Sequence, residues 1–424
     1  MRVLLISANS ERSIMPVPPV GLLCVAQAAR DAGHETKVID LMAEEDPSGR
    51  LAGAVERFHP DVLGLSVRNI DDQDMRNPRF LLDPVREVTR VCRSLTEVPI
   101  VVGGPGYSMF PLEALEYLGA DAGVVGDGED VFTLLLERLE RGDPLSGIPR
   151  LVRPGLPLPG EAPRPRDLDR FPLPDPDLLD RSSYAPEELW VPVQSRRGCP
   201  LCCSYCSTAT IEGRAIRKRS PARVVRWMGR WAAAGFRRFH FVDNTFNLPP
   251  SYAEALCDNI SAAGLEVKWL AILHPARLDE RLVRKMAAAG CRQVSLGFES
   301  GSRRMLRSLN KHFGPEEVER AARVLSDHGI RTMGFLLLGG PGETRESVEE
   351  SAAFVDRLDL DLVKITVGVR IYPNTSLAEL AVSKGVLSPG DSLLRPRFYL
   401  EQGLEGWLEE QVDAWVAERE SWQR

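Results

Sequence analysis

The stretch that decides the fold is residues 196–207, which read Arg-Arg-Gly-Cys-Pro-Leu-Cys-Cys-Ser-Tyr-Cys-Ser. It holds four of the chain's eight cysteines. Cys199, Cys203 and Cys206 have the spacing Cys-x-x-x-Cys-x-x-Cys. Three thiolates can hold one [4Fe–4S] cluster and leave its fourth iron open to a small molecule, whereas a ferredoxin closes its cluster with four cysteines. The stretch therefore predicts a cluster with one open coordination position.

Zinc and disulfide chemistry are the alternatives for these cysteines. A zinc site needs a second pair of ligands at suitable spacing, and the nearest histidine after Cys206, His240, stands alone. A disulfide needs an oxidising compartment, and the first seven residues do not have the order of a signal peptide. Cys202 is interpreted as a spare packed thiol, with a catalytic role as the alternative. The remaining cysteines are expected to be small core side chains: Cys24, Cys92, Cys257 and Cys291.

The cysteine spacing, with Tyr205 just before the third cysteine, resembles the signature of the radical S-adenosylmethionine (radical SAM) superfamily. The resemblance implies that the open iron chelates the amino and carboxylate groups of S-adenosylmethionine (SAM). An electron then splits SAM into methionine and a 5′-deoxyadenosyl radical. It also implies that Tyr205 lies among the cofactor contacts and that a flavodoxin- or ferredoxin-type protein donates the electron.

The bulk composition favours a cytoplasmic enzyme that acts on a small molecule. A chain of 424 residues predicts two or three domains. No apolar run approaches the roughly 18 residues that a membrane span needs, and a net charge of −7 argues against a nucleic-acid partner. Just after the cysteines, the otherwise acidic chain has a local run of basic residues, namely Arg214, Arg217, Lys218 and Arg219. This run is interpreted either as a solvated loop or as a site for an anionic group or an acidic electron donor.

Residues 1–145 alternate short apolar runs with helical patterns. Strands are predicted at 1–6, 37–41, 61–67, 100–102 and 122–125, and a helix at 21–32. This alternation predicts an α/β fold with a doubly wound, Rossmann-like parallel sheet, whose ligand binds at the carboxyl ends of the strands. The loops at those ends supply the candidate contacts: Ser66, Arg68, Asn69, Gly103, Gly104, Gly126, Gly128 and Glu129.

This half of the chain resembles the cobalamin-binding domain that is fused to many radical SAM enzymes. The similar segments are 16–23, 32–35, 38–40, 103–105 and 126–129, which together extend over nearly all of residues 1–140. The resemblance implies a bound cobalamin. The Asp-x-His-x-x-Gly motif of domains that bind cobalt through histidine is missing, so Arg68 or Asn69 is expected to approach the lower face of the corrin. A degenerate domain kept for folding alone is the alternative.

Nine prolines between Ile148 and Asp180 predict an extended linker over residues 146–190, rather than a packed element. A second strand–helix alternation follows over 191–375. Strands are predicted at 191–195, 238–242, 266–271, 293–297, 332–338 and 363–369. Six such units make a partial (β/α)6 barrel that reacts at the carboxyl ends of its strands. The cysteines follow its first strand, and residues 376–424 are interpreted as a short C-terminal tail.

The later strand ends of this barrel supply SAM contacts that the resemblance implies. Asp243 is expected to accept a hydrogen bond from the SAM ammonium group. Glu299 or Ser300 is expected to bind the ribose or the amino-acid part of SAM. Gly339 and Gly340 are expected to let adenine approach the backbone.

Two residues are candidate catalytic groups. Tyr372 is a candidate hydrogen donor, with core packing as the alternative, and His274 is a candidate proton donor or else a structural histidine. Further side chains could line the substrate pocket: Trp269, Arg277, Arg370 and Asn374.

These features predict a cobalamin-dependent radical SAM methyltransferase that methylates an unactivated carbon of a small biosynthetic intermediate. The alternative is dehydration, rearrangement or cyclisation without methyl transfer, similar to the radical SAM diol dehydratases of aminoglycoside biosynthesis. A transfer-RNA methylthiotransferase is rejected because only Cys24 and Cys92 precede the linker and the C-terminal tail is acidic. A plain electron carrier is rejected because of the open iron.

Overall fold

The computed structural model describes residues 1–9, 17–160, 163–180 and 184–424. In these residues each half of the chain forms a large parallel sheet that helices cover. Pro16 of the cobalamin-like segment, and residues 161–162 and 181–183 of the predicted linker, lie outside the described residues. The predicted α/β class, a Rossmann-like sheet followed by a partial barrel, is confirmed.

The first sheet is built from β1 (Arg2–Ser7), β2 (Glu35–Asp40), β3 (Val62–Ser66), β4 (Ile100–Gly103), β5 (Ala122–Val124) and β6 (Leu151–Val152). Its order is β2-β1-β3-β4-β5-β6, and only β6 pairs antiparallel. This order has a switch point between β1 and β3, the place where ligands of such sheets bind.

Helices cover both faces of this sheet, so its strands are apolar on both sides. The helices of this half are α1 (Val20–Asp31), α2 (Pro47–Phe58), α3 (Leu82–Leu95), α4 (Pro105–Met109), α5 (Pro111–Leu118) and α6 (Glu129–Arg141). Val3 and Leu5 pack with α1 and α6 on one face, and Leu4 and Ile6 pack with α2, α3 and α5 on the other.

The second half of the chain contains a parallel sheet and two small antiparallel pairs. Its strands are β7 (Trp190–Val193), β8 (Arg196–Arg197), β9 (Arg217–Lys218), β10 (Arg238–Phe241), β11 (Lys268–Leu273), β12 (Cys291–Glu299), β13 (Arg331–Leu338), β14 (Leu362–Val367), β15 (Val369–Arg370), β16 (Phe398–Tyr399) and β17 (Trp422–Gln423). The large sheet has the order β17-β14-β13-β12-β11-β10-β7. The pairs β8–β9 and β15–β16 stand beside it.

The helices of this half lie mostly on one side of the large sheet. They are α7 (Thr208–Glu212), α8 (Pro221–Ala233), α9 (Pro250–Ala262), α10 (Glu280–Ala288), α11 (Arg303–Ser308), α12 (Pro315–Asp327), α13 (Arg345–Leu358), α14 (Ser376–Ser383) and α15 (Trp407–Glu418). Alternate strand residues differ in burial: Val363 and Ile365 of β14 are buried in the helix-covered core, whereas Lys364 and Thr366 are half-buried. Because side chains alternate across a strand, the half-buried set lines the concave interior of the barrel.

The prediction that Trp269 lines the substrate pocket is wrong. Its side chain is fully buried on the helix-covered side of β11, and its indole Nε1 donates to the Ala289 carbonyl at 2.8 Å. Residues 270 and 272, one position away on each side of Ala271, face the interior instead.

The expectation that residues 146–190 form an extended linker without packing is wrong, because the segment contains β6 and two short 3-10 helices, Leu168–Arg170 and Pro176–Leu178, and packs on the barrel. The indole nitrogens of Trp227 and Trp231 both donate to the Pro174 carbonyl, at 2.7 and 3.1 Å. Arg219 donates to the carbonyls of Leu168 and Phe171. Prolines remove backbone donors but leave carbonyl acceptors, so this segment docks on α8 through side chains that point toward its oxygens.

The C-terminal tail belongs to the barrel. Residues Trp422–Gln423 pair in parallel with β14 and add a seventh, very short strand to the six that the sequence predicts. Trp422 packs against Trp415 of α15 with ring centroids 5.9 Å apart. The tail therefore closes one edge of the sheet. No helix in the described parts of the chain is long and apolar enough to cross a membrane.

Candidate active site

The cysteine loop, residues 198–207, begins directly after β8 at the end of the barrel where the strands terminate. Gly198 has a φ of +90°, and a Cβ there would lie 2.1 Å from the Ala215 carbonyl oxygen, so only glycine fits. The Cys199 amide donates to the Gly213 carbonyl at 3.0 Å, and the Ser204 amide donates to the Leu309 carbonyl at 3.1 Å. These bonds hold both ends of the loop.

The three predicted cluster ligands lie together in this loop. Burial raises the pKa of the Cys199 thiol, and the Cys206 and Cys203 thiols raise it further. Burial likewise raises the pKa of Cys203, which Lys311 lowers and Cys206 raises. The described residues contain no group of three His, Cys, Asp or Glu side chains close enough to hold a single metal ion. The role of these three cysteines as cluster ligands stays a prediction.

A lysine that the sequence reasoning missed lies beside the loop. Lys311 Nζ is 3.1 Å from Glu299 Oε1 and 5.5 Å from the centre of the Tyr205 ring. Burial lowers the pKa of this ammonium, but Glu299 and the Cys203 thiol raise it above its ordinary value. Glu299 has a φ of 69°, which is strained for a residue with a side chain and typical of functional sites. Lys311 lies just after α11 between Asn310 and His312, and the sequence there carries no signal of its pairing with Glu299.

Tyr205 faces the same carboxylate. Burial raises the pKa of its phenol, and Glu299 raises it further. Tyr205, Glu299 and Lys311 thus form a polar group next to the cysteines, which is where the amino-acid part of SAM would lie. Their roles as cofactor contacts stay predictions.

The structure contradicts the predicted role of Asp243. Its Oδ1 accepts from the amides of Ser195 and Arg196 at 2.8 and 2.9 Å, and its Oδ2 accepts from the Ser195 hydroxyl at 2.5 Å. Arg196 Nη2 lies 3.4 Å from Oδ2, and the side chain is buried. The carboxylate is therefore used to hold the end of β7 and is not free to accept from SAM.

Ser300 is also used inside the protein, contrary to prediction. It is fully buried, its hydroxyl lies 2.9 Å from the Ser351 hydroxyl of α13, and it accepts from the Ser302 amide at 3.1 Å. Of the two residues named at this strand end, only Glu299 faces the cysteine loop.

The backbone groups of Gly339 and Gly340 are hydrogen-bonded within the protein. Their amides donate to Glu343 Oε2 at 2.5 and 3.1 Å, and their carbonyls accept from the Glu401 and Glu343 amides. A Cβ on Gly340 would face the core side chains of Met305 and Leu309. The glycines let the Glu343 carboxylate close the turn, and their role as adenine contacts stays a prediction.

Glu343 gives this turn a pH dependence. Burial raises the pKa of its carboxyl to about 7, although the two glycine amides lower it. The folded state therefore binds this proton more tightly than the unfolded state, so the resulting stabilisation is complete below about pH 4.5 and is lost as the pH rises through 7. Relative to Glu343→Gln, we expect the wild-type free energy of unfolding to fall by about 3 kcal/mol between pH 4.5 and 8.

Anaerobic urea unfolding of both proteins across this pH range measures the difference. Glu349→Gln, an exposed carboxylate on α13, is the matched control. Parallel pH profiles for wild type and Glu343→Gln would contradict the assignment.

His274 is half-buried and its ring packs edge-on against Phe313 at 5.0 Å. Burial, followed by Lys311 and Arg277, lowers the pKa of the imidazole to about 4. The ring is therefore neutral near pH 7. Its Nδ1 is buried and has no hydrogen-bond partner among the described residues.

Tyr372 is buried in the core, with the guanidinium carbon of Arg370 4.9 Å from the centre of its ring. Burial raises the pKa of its phenol, and the nearby Asp71, Arg370 and Cys206 also act on it. Arg370 itself pairs with Asp71 of the first half at 2.8 Å, and both side chains are buried. The catalytic roles of Tyr372 and His274 stay predictions.

A cavity of about 360 Å³ lies where the carboxyl ends of the first sheet meet the barrel. Its first-half lining includes all but one of the predicted loop contacts: Ser66, Arg68, Gly103, Gly104, Gly126, Gly128 and Glu129. Asn69 does not line it, and its role as a cofactor contact stays a prediction.

The donor set of the cavity fits a cobalamin whose lower face is not held by histidine. No histidine lines it among the described residues. Burial lowers the pKa of the Arg68 guanidinium, and Asp40 raises it. Arg68 has no ion-pair partner within 4 Å among the described residues, which leaves its head group available to the cavity.

The wall of the cavity contains a buried charge cluster, which we define as Asp127, Glu129, Arg197 and Arg217. Arg197 binds Asp127 at 2.9 Å and Glu129 at 2.5 Å, and Arg217 binds the other oxygen of Asp127. Burial raises the pKa of the Asp127 carboxyl, but the two arginines lower it to about 2. The Glu129 carboxylate, predicted as a cofactor contact, is thus bound to Arg197.

The basic run after the cysteines is not a continuous surface patch. Arg217 and Arg219 are buried, the first in the charge cluster and the second against the linker. Arg214 and Lys218 remain exposed, and Arg214 Nη1 lies 2.7 Å from Cys202 Sγ.

Two families match consecutive parts of the chain. The B12 binding domain matches residues 12–136 and the Radical SAM superfamily matches residues 193–355. The uncharacterized methyltransferase PH0819 of Pyrococcus horikoshii is 30% identical over 399 residues, which cover 91% of this chain and 84% of that protein. This chain belongs to the cobalamin-binding radical SAM methyltransferase family. Its cofactors are a [4Fe–4S] cluster, SAM and cobalamin.

Other members of this family agree with the assignment. The tryptophan 2-C-methyltransferase of Streptomyces laurentii is 24% identical, over 86% of this chain and 72% of that protein. The structure of the radical SAM methyltransferase TsrM from Kitasatospora setae, with tryptophan and a SAM analogue bound, matches with a TM-score of 0.89 at 25% identity. That match covers 98% of this chain and 88% of TsrM. The relatives favour methylation over the dehydration alternative.

Proposed function

We propose that this enzyme methylates a carbon atom of a small biosynthetic intermediate in a cobalamin-dependent reaction. The proposal rests on the observation that residues flanking the cysteine loop also line the cavity of the first half. The cavity at the end of the first sheet is also lined by Gln194, Arg197 and Glu212, which flank the cysteine loop. A corrin in this cavity and a cluster on the loop would therefore meet at the same end of the barrel.

When bound, the cluster and cobalamin supply the reductive cleavage of SAM and the methyl transfer. Cys199, Cys203 and Cys206 would hold the cluster. Lys311 would attract the SAM carboxylate and Glu299 the SAM ammonium, since the two side chains present opposite charges beside the loop.

The substrate would lie against the concave interior of the barrel. β11 and β13 contribute the apolar part of this face, namely Leu270, Ile272, Met333 and Phe335. The neighbouring strands contribute polar side chains by the same alternation, namely His240, Gln293, Lys364 and Thr366. This mixed lining favours a small molecule that has an apolar body and several polar groups.

An acidic flavodoxin- or ferredoxin-type protein would supply the electron. Cys202 and Arg214 are both exposed beside the cluster loop. A cation at this position would favour the approach of a negatively charged donor.

Labelled SAM tests the proposal. With SAM that carries a trideuterated methyl group, mass spectrometry of the products is expected to show a product heavier by the intact labelled methyl group, and removal of cobalamin is expected to abolish that product. Full turnover by cobalt-free enzyme, or a product without the label, would contradict methylation. The control omits the reductant.

A further inference from the structure

Glu212, at the end of α7, touches both cofactor regions. Its Oε2 accepts from the Gly198 amide at 2.8 Å and from Asn244 Nδ2 at 2.6 Å. Its Oε1 accepts from Gln194 Nε2 at 3.1 Å. The side chain also forms part of the wall of the cavity. Neither the sequence motifs nor the relatives assign it a role.

One oxygen of Glu212 is engaged on the side of the cluster. Gly198 directly precedes Cys199, so the bond to its amide fixes the start of the cysteine loop. Asn244 accepts from the Thr208 hydroxyl at 3.4 Å, and that hydroxyl lies 3.3 Å from Cys206 Sγ. Through these neighbours the carboxylate is linked to two of the three cluster ligands.

Arg197 determines, through Gln194, that the group at the Oε1 position of residue 212 has to accept a hydrogen bond. Arg197 Nε donates to Gln194 Oε1 at 2.8 Å, which fixes the orientation of the Gln194 amide. Gln194 therefore presents its NH₂ group to Glu212. If residue 212 also presented a hydrogen-bond donor, two NH groups would face each other and no hydrogen bond could form between them.

This oxygen also has unused capacity toward the cavity. A carboxylate oxygen can accept about two hydrogen bonds, and Oε1 accepts one among the described residues. The rim of a corrin carries primary amides, which are hydrogen-bond donors. Burial raises the pKa of the Glu212 carboxyl, while the Gly198 amide, Arg197 and Asn244 lower it.

We propose that Glu212 is a positioning residue that binds a corrin side-chain amide through Oε1 and holds the cysteine loop through Oε2. Cobalamin binding and the geometry of the cluster loop are then linked through one carboxylate. The inference rests on the cofactors of the family and not on the methyl transfer proposed above.

Glu212→Gln tests the link, because it keeps the shape of the side chain and puts an NH₂ group against the NH₂ of Gln194. We expect the Kd for cobalamin to rise about tenfold or more, within the range for loss of an outer-sphere partner. The midpoint potential of the cluster is expected to become more positive, because a nearby negative charge is lost. Anaerobic equilibrium binding of cobalamin and a redox titration followed by electron paramagnetic resonance measure the two effects.

The double variant Gln194→Glu with Glu212→Gln separates the two contacts. The carboxylate introduced at position 194 can accept from Arg197 and from the amide introduced at position 212, so the hydrogen-bond chain and the midpoint potential of the cluster are expected to recover. The affinity for cobalamin is not expected to recover, because position 212 still presents an NH₂ group. Glu349→Gln is the control for a lost exposed charge.

A Kd for cobalamin in Glu212→Gln within twofold of wild type would overturn the inference, and so would full recovery of that affinity in the double variant. These readouts are independent of turnover. An enzyme that binds both cofactors as expected but transfers no methyl group would contradict the proposed function alone.

Discussion

Replacing Cys203 by serine is expected to remove the cluster, whereas replacing its neighbour Cys202 by serine is expected to leave it in place. Cys203 lies among the other two ligands and Lys311, and its thiol is partly buried. Cys202 is exposed and contacts Arg214 instead. We expect the Cys203→Ser protein to lose most of its iron and to transfer methyl groups at least about a hundredfold more slowly, because loss of a ligand costs more than the roughly 10–100-fold that loss of an outer-sphere partner costs.

Iron and sulfide content after anaerobic reconstitution, together with the rate of methyl transfer, measure this effect. The two variants make the same atomic change at adjacent positions, so Cys202→Ser controls for the general effect of a serine in the loop. Loss of iron from Cys202→Ser with retention in Cys203→Ser would show that the ligand set has been assigned wrongly.

Replacing Arg197 by leucine is expected to destabilise the protein by about 3–5 kcal/mol, because it leaves buried carboxylates without their partner. Arg197 is bound to both Asp127 and Glu129, and all three side chains are nearly inaccessible to water. Arg217 still holds one oxygen of Asp127, so Glu129 is the group left unpaired. Cobalamin is expected to bind more weakly as well, since these carboxylates follow cavity residues Gly126 and Gly128.

Urea unfolding of the anaerobic protein measures the loss, with Arg320→Leu on the exposed side of α12 as the control. The further change Glu129→Leu is expected to restore part of the stability, because it removes the unpaired charge. An Arg197→Leu protein that unfolds at the wild-type urea concentration would contradict the energetic role of the charge cluster.

The alternation of apolar strands and helices predicts the architecture well, because a strand covered on both faces must be apolar along its whole length. Strand ends are harder to predict. Asp243 and Ser300 stand where a ligand would be, yet their polar atoms are used by Ser195 and Ser351. A sequence shows which groups can form hydrogen bonds, but it does not show whether their partners in the folded structure are protein groups or a ligand.

Contacts between the two halves could not be predicted for a related reason. Nothing near Glu129 in the sequence indicates Arg197, and nothing near Glu299 marks Lys311 as its partner. Pairing across such separations depends on how the sheets dock. The sequence likewise does not show that the amides of Gly339 and Gly340 are bound by Glu343 from the same loop.

The buried charge cluster also bears on how the chain is made. Asp127 and Glu129 belong to the half that leaves the ribosome first, while their partner Arg197 lies 70 and 68 residues later and Arg217 lies 90 residues after Asp127. Until those arginines emerge, two carboxylates destined for the interior have to remain in water. The corrin-binding half therefore cannot complete its own ligand cavity during synthesis. Cobalamin is therefore expected to be captured only after the cysteine loop has been translated.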